Sequence, residues 1–471
     1  MALVVLLFDA QFKFQPSLTG SMQLKEELSV ERTAALFSYE TARYQLSGRD
    51  FSRQFYHVYS SRLKAVEERL RAAAAEKWGG VAVVAVSELD EERAECAVIG
   101  TLFKQQQLKP SILKEISEEH NLMPQPPRER FISDSDHLIL EDEGARIRLE
   151  GNIDPQQYVN GVVCAVVGRE EVSGKFKVRD VCFPDLPPQT VDRPIPDNDS
   201  YVLLVSGLGL EASGNLFPAQ LLVDLVTGQL GSEEEQTEMA AVTRVIVAGN
   251  SLSASSRDSQ FLKRAAYLTS DVAGQSAAAV RSLDELLQQL TASCDLDLMP
   301  GEFDPTNHLL PQRPMHPCLL PKAAAYRTFH GVTNPYQAVV GGRRLLGSSG
   351  QNVHDLYRYS ACDDPLTCLE RLLTWGHLCP TAPDTLTCYP YYDKDPFTID
   401  QCPDLLFAGN QTKFATKMCR GSQGQRVRLL CLPEFHRTAT CALVNLRTLG
   451  VRRITLGSAL TQNGEEAQPE K

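Results

Sequence analysis

The sequence lacks most of the local patterns by which common enzymes and metal-binding proteins are recognised. Its 13 cysteines include no CxxC pair and no Cys/His group at zinc-site spacing. It contains no Gly-x-Ser-x-Gly elbow and no Walker A loop, so a serine hydrolase or a P-loop ATPase has no local support. Scattered cysteines of this kind are typical of reduced, mostly buried thiols in the cytosol or nucleus.

The chain also lacks an excess of positive charge. It has 47 Lys and Arg residues against 59 Asp and Glu, a formal net charge of −12 that argues against autonomous nucleic-acid binding. No stretch approaches the roughly 18 apolar residues of a membrane span, so no membrane association is expected. Met1–Phe8 is apolar, but it has no basic leading region and no Ala-x-Ala-like cleavage site, so we expect no secretory signal.

The 471 residues, 43% of them hydrophobic and 23% charged, are enough for about two or three globular domains. We leave residues 1–44 without an assigned structure and place a first domain at 45–183. It begins with a helix capped by Asp50 whose stripe is Phe55, Tyr59, Leu63, Val66, Leu70 and Ala74. Six short strands and a helical segment at Ser111–His120 follow: Val81–Val86, Cys96–Phe103, Leu138–Leu140, Ile147–Leu149, Val162–Val167 and Phe176–Val181. This pattern predicts an OB-like β-barrel.

Barrels of this kind often bind single-stranded nucleic acid through aromatic side chains in a basic groove. Here Phe103, Phe131, Tyr158 and Phe176 are sparse, and the neighbouring segment Glu141-Asp142-Glu143 is acidic. The composition therefore favours a barrel that docks protein over one that binds DNA directly.

Prolines 184, 187, 188, 194 and 196 indicate a linker at 184–199, because successive prolines discourage both helix and strand pairing. Beyond it, strands alternate with helices, one of which carries Val280, Leu283, Leu287 and Leu290 on one face. This alternation predicts a layered α/β domain at 200–460, followed by a flexible polar tail at 461–471.

Five segments of this second domain are strands that run into turns. They are Tyr201–Gly209, Val245–Asn250, Met299–Asp304, Gly347–Val353 and Asp404–Thr412. In this order they resemble the signature of the metallophosphoesterases, which implies a β-sandwich flanked by helices.

The resemblance also implies that the metal site has been lost. Gly207 and Gly209 stand in place of Asp-x-His, and Asn250 in place of a bridging carboxylate. Glu302 and Phe303 replace a ligating Asn and a catalytic His. Ser349 stands where catalytically active relatives carry His. Asn410 and Thr412 fall where Gly-His-x-His is expected. Asp304 remains, but one carboxylate cannot hold two metal ions.

Phrases between these turns carry a more specific resemblance: Leu203–Leu210, Leu221–Leu230, Pro300–Asn307, Thr333–Ala338 and Pro380–Leu386. They resemble the small, regulatory B subunits of replicative DNA polymerases, those of DNA polymerase delta in particular, from about residue 45 to 460. The resemblance implies a nuclear, noncatalytic scaffold for DNA replication and repair, with no cofactor.

Its implied partners are the C-terminal metal-cluster module of the catalytic subunit of DNA polymerase delta and the third and fourth accessory subunits of that complex. The sliding clamp is reached indirectly, and DNA is contacted at most weakly or indirectly.

Four other interpretations compete with this one. Gly207–Ala212 fits a loose GxGxxA nucleotide loop, with Asp224 as its acidic partner. His377 could belong to a displaced metal site. A rearranged site could make the chain an active metal-dependent phosphoesterase or nuclease, and the barrel could bind single strands by itself.

Overall fold

The structure is a computed structural model that describes residues 30–45, 51–90, 95–110, 128–189, 195, 197–212, 214–257 and 266–457, with side chains described outside 256–275. Asp50, the predicted Ser111–His120 helix, two of the linker prolines and the tail from 461 lie outside these ranges. None of the helices in the described ranges combines the length and the apolar character needed to cross a bilayer.

A short strand, β1 (Phe37–Tyr39), precedes the first long helix, α1 (Tyr56–Trp78). The helix packs on the barrel through Leu63, Val66, Leu70 and Ala74, as the 3.6-residue spacing predicts. The first part of the predicted stripe was wrong: Phe55 precedes the helix and is 43% exposed, whereas Val58 and Arg62 are buried. Arg62 is inside because polar groups surround its guanidinium, a circumstance that apolar periodicity does not reveal.

The barrel is built from strands that follow α1. These are β2 (Val83–Val84), β3 (Cys96–Gln105), β4 (His137–Glu141), β5 (Arg146–Gly151), β6 (Val163–Glu171) and β7 (Lys175–Cys182). Their order is β2-β3-β4-β5-β7-β6, and β3 also pairs with β6, which closes the sheet into a ring. The predicted barrel is therefore present.

Two further six-stranded sheets form the second domain. Their strands are β1, given above, with β8 (Tyr201–Val205), β9 (Val242–Ala248), β10 (Asp295–Met299), β11 (Phe329–Gly331), β12 (Tyr336–Val340), β13 (Arg343–Ser348), β14 (Leu405–Gln411), β15 (Ala415–Arg420), β16 (Arg426–Pro433), β17 (Thr440–Asn445) and β18 (Val451–Thr455). Sheet I has the order β11-β10-β9-β8-β17-β18, and sheet II has the order β1-β12-β13-β14-β16-β15. Buried side chains of both sheets, among them Ile246 and Phe407, form one apolar core between them.

Helices cover the outer faces of both sheets. They are α2 (Phe217–Val226), α3 (Glu233–Ala240), α4 (Ala266–Thr291), α5 (Gln351–Tyr359), α6 (Pro365–Thr374) and the short α7 (Phe435–Thr438). Leu222 of α2 and Leu287 of α4 share a core with sheet I. Leu356 of α5 and Leu372 of α6 share a core with sheet II and with the barrel. The second domain is thus layered helix, sheet, sheet, helix.

The barrel and the second domain are in contact, not merely tethered. Their apolar side chains belong to one continuous core. Part of the predicted linker also lies against the second domain, since Gln425 Nε2 donates to Leu186 O at 3.1 Å and Cys402 N donates to Pro188 O at 3.3 Å.

Residues 30–45 cross the second domain before α1 begins. β1 pairs with β12 at the edge of sheet II, while Tyr39 donates from its hydroxyl to Asp297 Oδ1 of sheet I at 2.7 Å. Arg32 donates to Val226 O at 2.7 Å and to Val242 O at 2.9 Å. This N-terminal arm therefore joins both sheets, a role that the sequence did not indicate.

Candidate functional site

Five turns meet at one edge of the sandwich: residues 206–209, 249–252 and 300–304 at the ends of β8, β9 and β10, and 348–351 and 409–412 at the ends of β13 and β14. The strands within each group run parallel, so their carboxyl ends lie at the same edge. Gly207 N donates to Gly249 O at 2.9 Å, and Asn410 N donates to Ser206 Oγ at 3.0 Å. The turns that the sequence singled out are thus joined directly.

Glycine lets these turns touch. Gly249 has φ +82°, and a β-carbon there would lie 2.4 Å from Ser349 Cβ. Gly207 has φ +64°, and its β-carbon would lie 2.7 Å from Asn410 Oδ1. Contacts that short are not tolerated, so close packing of the turns is sufficient reason for glycine at both positions.

Gly209 lies under a histidine. Its φ is +58°, and a β-carbon would meet His436 Nδ1 at 2.6 Å. The His436 backbone N–H donates to Gly207 O at 2.9 Å, which holds α7 over the first turn. Glycine is therefore favoured at both positions of this turn, because neighbouring parts of the protein leave no room for a side chain.

Two asparagines occupy left-handed backbone positions at the centre of the site. Asn250 has φ +50° and accepts through Oδ1 from Phe303 N at 3.2 Å. Asn410 has φ +56° and donates through Nδ2 to Ser349 O at 2.8 Å. Asparagine tolerates this conformation better than most residues, and here its amide also links one turn to the next.

Asp304 is the carboxylate at the centre, and it is completely buried. It accepts from Gly301 N at 2.8 Å, Leu252 N at 3.0 Å and Ser251 N at 3.2 Å. Burial raises the pKa of Asp304, and these N–H donors oppose that rise by stabilising the ionised form. The carboxylate fastens the second turn to the third.

Next to it lies a set of neutral side chains, which we call the amide network: Gln312, Asn334, Ser349, Gln351 and Asn410. Asn334 Nδ2 donates to Gln312 Oε1 at 2.8 Å, Ser349 Oγ at 2.9 Å and Gln351 Oε1 at 3.0 Å. Gln312 Nε2 continues the network to Gly301 O at 3.0 Å. Sequence reasoning missed Gln312, Asn334 and Gln351 as site residues because polar residues in loops give no signal of convergence.

Three of the predicted positions do not turn their side chains into this network. Glu302 and Thr412 are exposed, and Phe303 is half-buried and contributes its backbone N–H. Within the described ranges, no group of three or more His, Cys, Asp or Glu side chains lies close enough to hold a metal ion. Neutral amides and hydroxyls surround the remaining carboxylate.

His377 lies elsewhere, in a buried ion cluster with Arg62 and Asp395 that we call the Arg62 cluster. His377 Nε2 lies 2.9 Å from Asp395 Oδ2, and His377 Nδ1 accepts from Cys379 N at 3.1 Å. Burial, reinforced by the charge of Arg62, lowers the pKa of His377 to about 4. Both ring nitrogens have partners within the protein, an arrangement that gives the displaced-metal interpretation of His377 no support.

The nucleotide-loop interpretation fails on its acidic residue. Asp224 lies inside helix α2, where Gln220 Nε2 donates to it at 2.9 Å. A dinucleotide fold needs that carboxylate at the end of a second strand.

Two family models match the chain. The model described as "DNA polymerase delta subunit OB-fold domain" covers residues 54–181, and the model of the B subunits of DNA polymerases alpha and epsilon covers residues 202–416. The first match identifies the barrel as an OB fold.

Curated proteins match along nearly the whole chain. The DNA polymerase delta small subunit of Oryza sativa subsp. japonica is 42% identical over 422 residues, which are 89% of this chain and 97% of the relative. The DNA polymerase delta subunit 2 of Drosophila melanogaster is 41% identical over 414 residues, 87% of this chain and 95% of the relative. The small subunit of Saccharomyces cerevisiae is 28% identical over 455 residues, 87% of this chain and 90% of the relative.

Proposed function

The chain belongs to the DNA polymerase delta small-subunit family, and from this premise we propose that it is a noncatalytic scaffold of the DNA polymerase delta complex. It bridges the C-terminal metal-cluster module of the catalytic subunit to the third and fourth accessory subunits. Through those subunits it is linked to the sliding clamp, and it acts in the nucleus in DNA replication and repair.

The observation that carries the noncatalytic role is the amide network. A two-metal hydrolytic centre needs several carboxylate and imidazole ligands around ions about 3.5–4 Å apart. At the convergent turns, Asn334, Ser349 and Gln351 bond one another instead. Neutral oxygens and nitrogens already satisfied in this way cannot provide the charge that two divalent cations require.

Asp304 supports the same conclusion. Its oxygens accept backbone N–H groups of Gly301, Ser251 and Leu252, so the carboxylate is engaged in holding turns together. We propose that the layered second domain is a metallophosphoesterase-like sandwich in which these hydrogen bonds have replaced the metal ions as the element that fixes the turns.

The charge of the chain supports an indirect relation to DNA. A net charge of −12 opposes phosphate binding, and the barrel carries acidic residues in the same groove as its exposed Phe103. Scaffolding by contact with other subunits requires no basic surface.

Catalysis is tested with the purified chain, assayed on a phosphodiester substrate and on single-stranded DNA with Mn²⁺ or Zn²⁺. We expect no metal-dependent turnover, and the same background from the Asp304→Asn variant. Turnover that is lost on chelation and in Asp304→Asn, while Asp224→Asn retains it, would contradict the proposal.

The scaffold role is tested by reconstitution with the catalytic and accessory subunits. We expect one complex in size-exclusion chromatography, and loss of the accessory subunits from the catalytic subunit when this chain is omitted. Assembly of the other subunits without it would exclude a bridging role.

A further inference from the structure

A half-open groove of about 550 Å³ runs between the first half of α1 and the barrel. Tyr56, Tyr59 and Leu63 of the helix form one wall, and Leu102 and Phe103 of β3 form the other. Tyr56 is 59% exposed and Phe103 is 38% exposed, in a chain with only 7% aromatic residues. Exposed aromatics gathered in one concave place are characteristic of an interaction surface.

The aromatic surface continues beyond the groove onto the second domain. The His57 ring lies 4.2 Å from the Tyr392 ring, which is itself 49% exposed, and Arg53 lies over Tyr392 at 5.1 Å. Phe51, 60% exposed, meets Tyr389 edge to face at 5.2 Å. A partner that extended out of the groove past His57 would thus reach the second domain.

The end of the groove formed by β4 and the turn after it is acidic. Its charged lining is Glu141, Asp142 and Glu143 against Lys64. Lys64 pairs with Glu143 at 2.8 Å, and both side chains remain more than half exposed. Glu141 lies 3.8 Å from Arg146, so the three carboxylates face two cations, and one negative charge remains in excess beside the aromatic rings.

The acidic end is also rigid. Asp142 Oδ2 accepts from Val86 N at 2.7 Å, and Asp142 Oδ1 accepts from Gly144 N and Ala145 N at 2.8 Å each. Its carboxylate is held by the backbone of two loops, so the negative charge is fixed before a ligand arrives.

We propose that this groove binds a peptide segment of another subunit in which Lys or Arg flanks an aromatic or aliphatic side chain. The apolar side chain lies between Tyr56 and Phe103, and the basic side chain competes with Lys64 for Glu143. Aromatic platforms in an OB fold would also suit stacked bases, but the acidic lining, in which Asp142 is fixed by backbone donors, repels phosphates. The inference rests on the proposed scaffold function and names the chemistry of one partner segment.

The test uses short overlapping peptides that span the other subunits of the complex, with binding to the full chain measured by fluorescence anisotropy. We expect binding by a peptide that combines basic and apolar residues. Phe103→Ala should weaken it about tenfold or more, as expected for a central aromatic contact. Glu143→Lys should weaken it as well, and Phe217→Ala, which removes an exposed phenylalanine of α2, should leave it unchanged.

Three results would overturn the inference: no peptide binds, Phe103→Ala does not weaken binding of the peptide, or single-stranded oligothymidylate binds and its binding is lost in Phe103→Ala. Thermal unfolding of each variant shows whether the fold is intact. If the wild-type chain still assembles with the other subunits while peptides fail, the groove is wrong and the scaffold function stands. If the wild-type chain does not assemble at all, the scaffold function fails.

Discussion

Two buried polar regions hold this protein together by different means, one through neutral hydrogen-bond donors and the other through charges. The amide network and Asp304 join turns within the second domain almost entirely through neutral donors. The Arg62 cluster joins the two domains through charges. The Arg62 side chain projects from helix α1 and donates to Asp395 Oδ2 at 2.7 Å and to Pro380 O at 2.7 Å, both in the second domain. It also donates to Gly161 O of the barrel at 2.9 Å.

In both regions, the buried polar side chains hold separate parts of the chain in a fixed relative position. At the convergent turns, several modest hydrogen bonds share the task of holding the turns together. Where two domains must keep one orientation, a single guanidinium spans them, and its loss would leave the Asp395 charge without its cationic partner. The first region should therefore be robust to single substitutions and the second should not.

The largest expected effect is that of Arg62→Met. The substitution keeps an apolar stem but leaves Asp395 and several carbonyl oxygens buried without their donor. Breaking a buried ion pair in this way costs about 3–5 kcal/mol. Denaturant titration should show this fall in the free energy of unfolding, while Arg71→Met, which removes an exposed pair with Glu67 on the same helix, should change little. Equal effects of the two substitutions would show that the buried contacts of Arg62 contribute no more than an exposed ion pair.

The second effect is a dependence of stability on pH. His377 is neutral in the folded protein, with a pKa of about 4 against about 6.5 in an unfolded chain. Between those values the unfolded chain binds a proton that the folded chain does not. Stability is therefore complete above about pH 6.5 and falls as pH drops towards 4, by on the order of 3 kcal/mol.

Asp395 does not reverse this dependence. Burial alone would raise the pKa of Asp395, but His377 and Arg62 together hold it below its ordinary value, so its contribution is lost only at lower pH. Unfolding free energies measured across the window should fall less steeply for His377→Gln than for the wild type. Parallel curves would show that His377 does not cause the dependence.

A smaller effect is expected from Asp304→Asn at the convergent turns. The substitution places an NH₂ group against backbone donors that the carboxylate accepted, which should cost about 2 kcal/mol. Asp224→Asn is the control, because Asp224 is only half-buried and accepts from the flexible Gln220 side chain. A loss as large as that of Arg62→Met would mean that this region is as fragile as the charged one.

The smallest effect is that of Ser349→Ala, which removes one hydroxyl from the amide network and should cost about 1 kcal/mol. Ser251→Ala offers a control in the neighbouring turn, because the Ser251 hydroxyl is buried and has no hydrogen-bond partner in the described part of the chain. We expect that variant to be neutral or slightly more stable. A large loss in Ser251→Ala would reveal an interaction that this geometry does not contain.

Much of the fold could be predicted because its strands are buried and apolar. Tyr201–Val205 was placed to the residue, and each of the six predicted barrel strands overlaps a strand of the structure. The layered helices also followed from periodicity, as for Leu283 and Leu287 of α4. What could not be predicted was pairing: only the short helix α7 separates β16 from β17 along the chain, yet the two strands belong to different sheets. Pairing between distant strands depends on how whole elements pack together, and no local sequence pattern records it.

The candidate site divides in the same way. The turns were located because strands lead into them, and the family resemblance assigned Asn250, Ser349 and Asn410 to former ligand positions, a placement that stays a prediction. Gln312 and Arg62 were missed for a shared physical reason. A polar side chain is ordinarily exposed, and only the three-dimensional arrangement shows that its partners have been brought inside.

During synthesis, the N-terminal arm is made long before the strand with which it pairs. Phe37 pairs with Val340, about 300 residues later, and Val202 of β8 pairs with Val444 of β17. At about 5–20 residues per second, the ribosome leaves the arm without its partner strand for on the order of 15–60 s. The barrel strands lie within one continuous stretch and are available early, whereas both sheets of the sandwich wait for strands that are made after residue 400. A chain released before β17 is made would carry open strand edges that invite aggregation and chaperone capture.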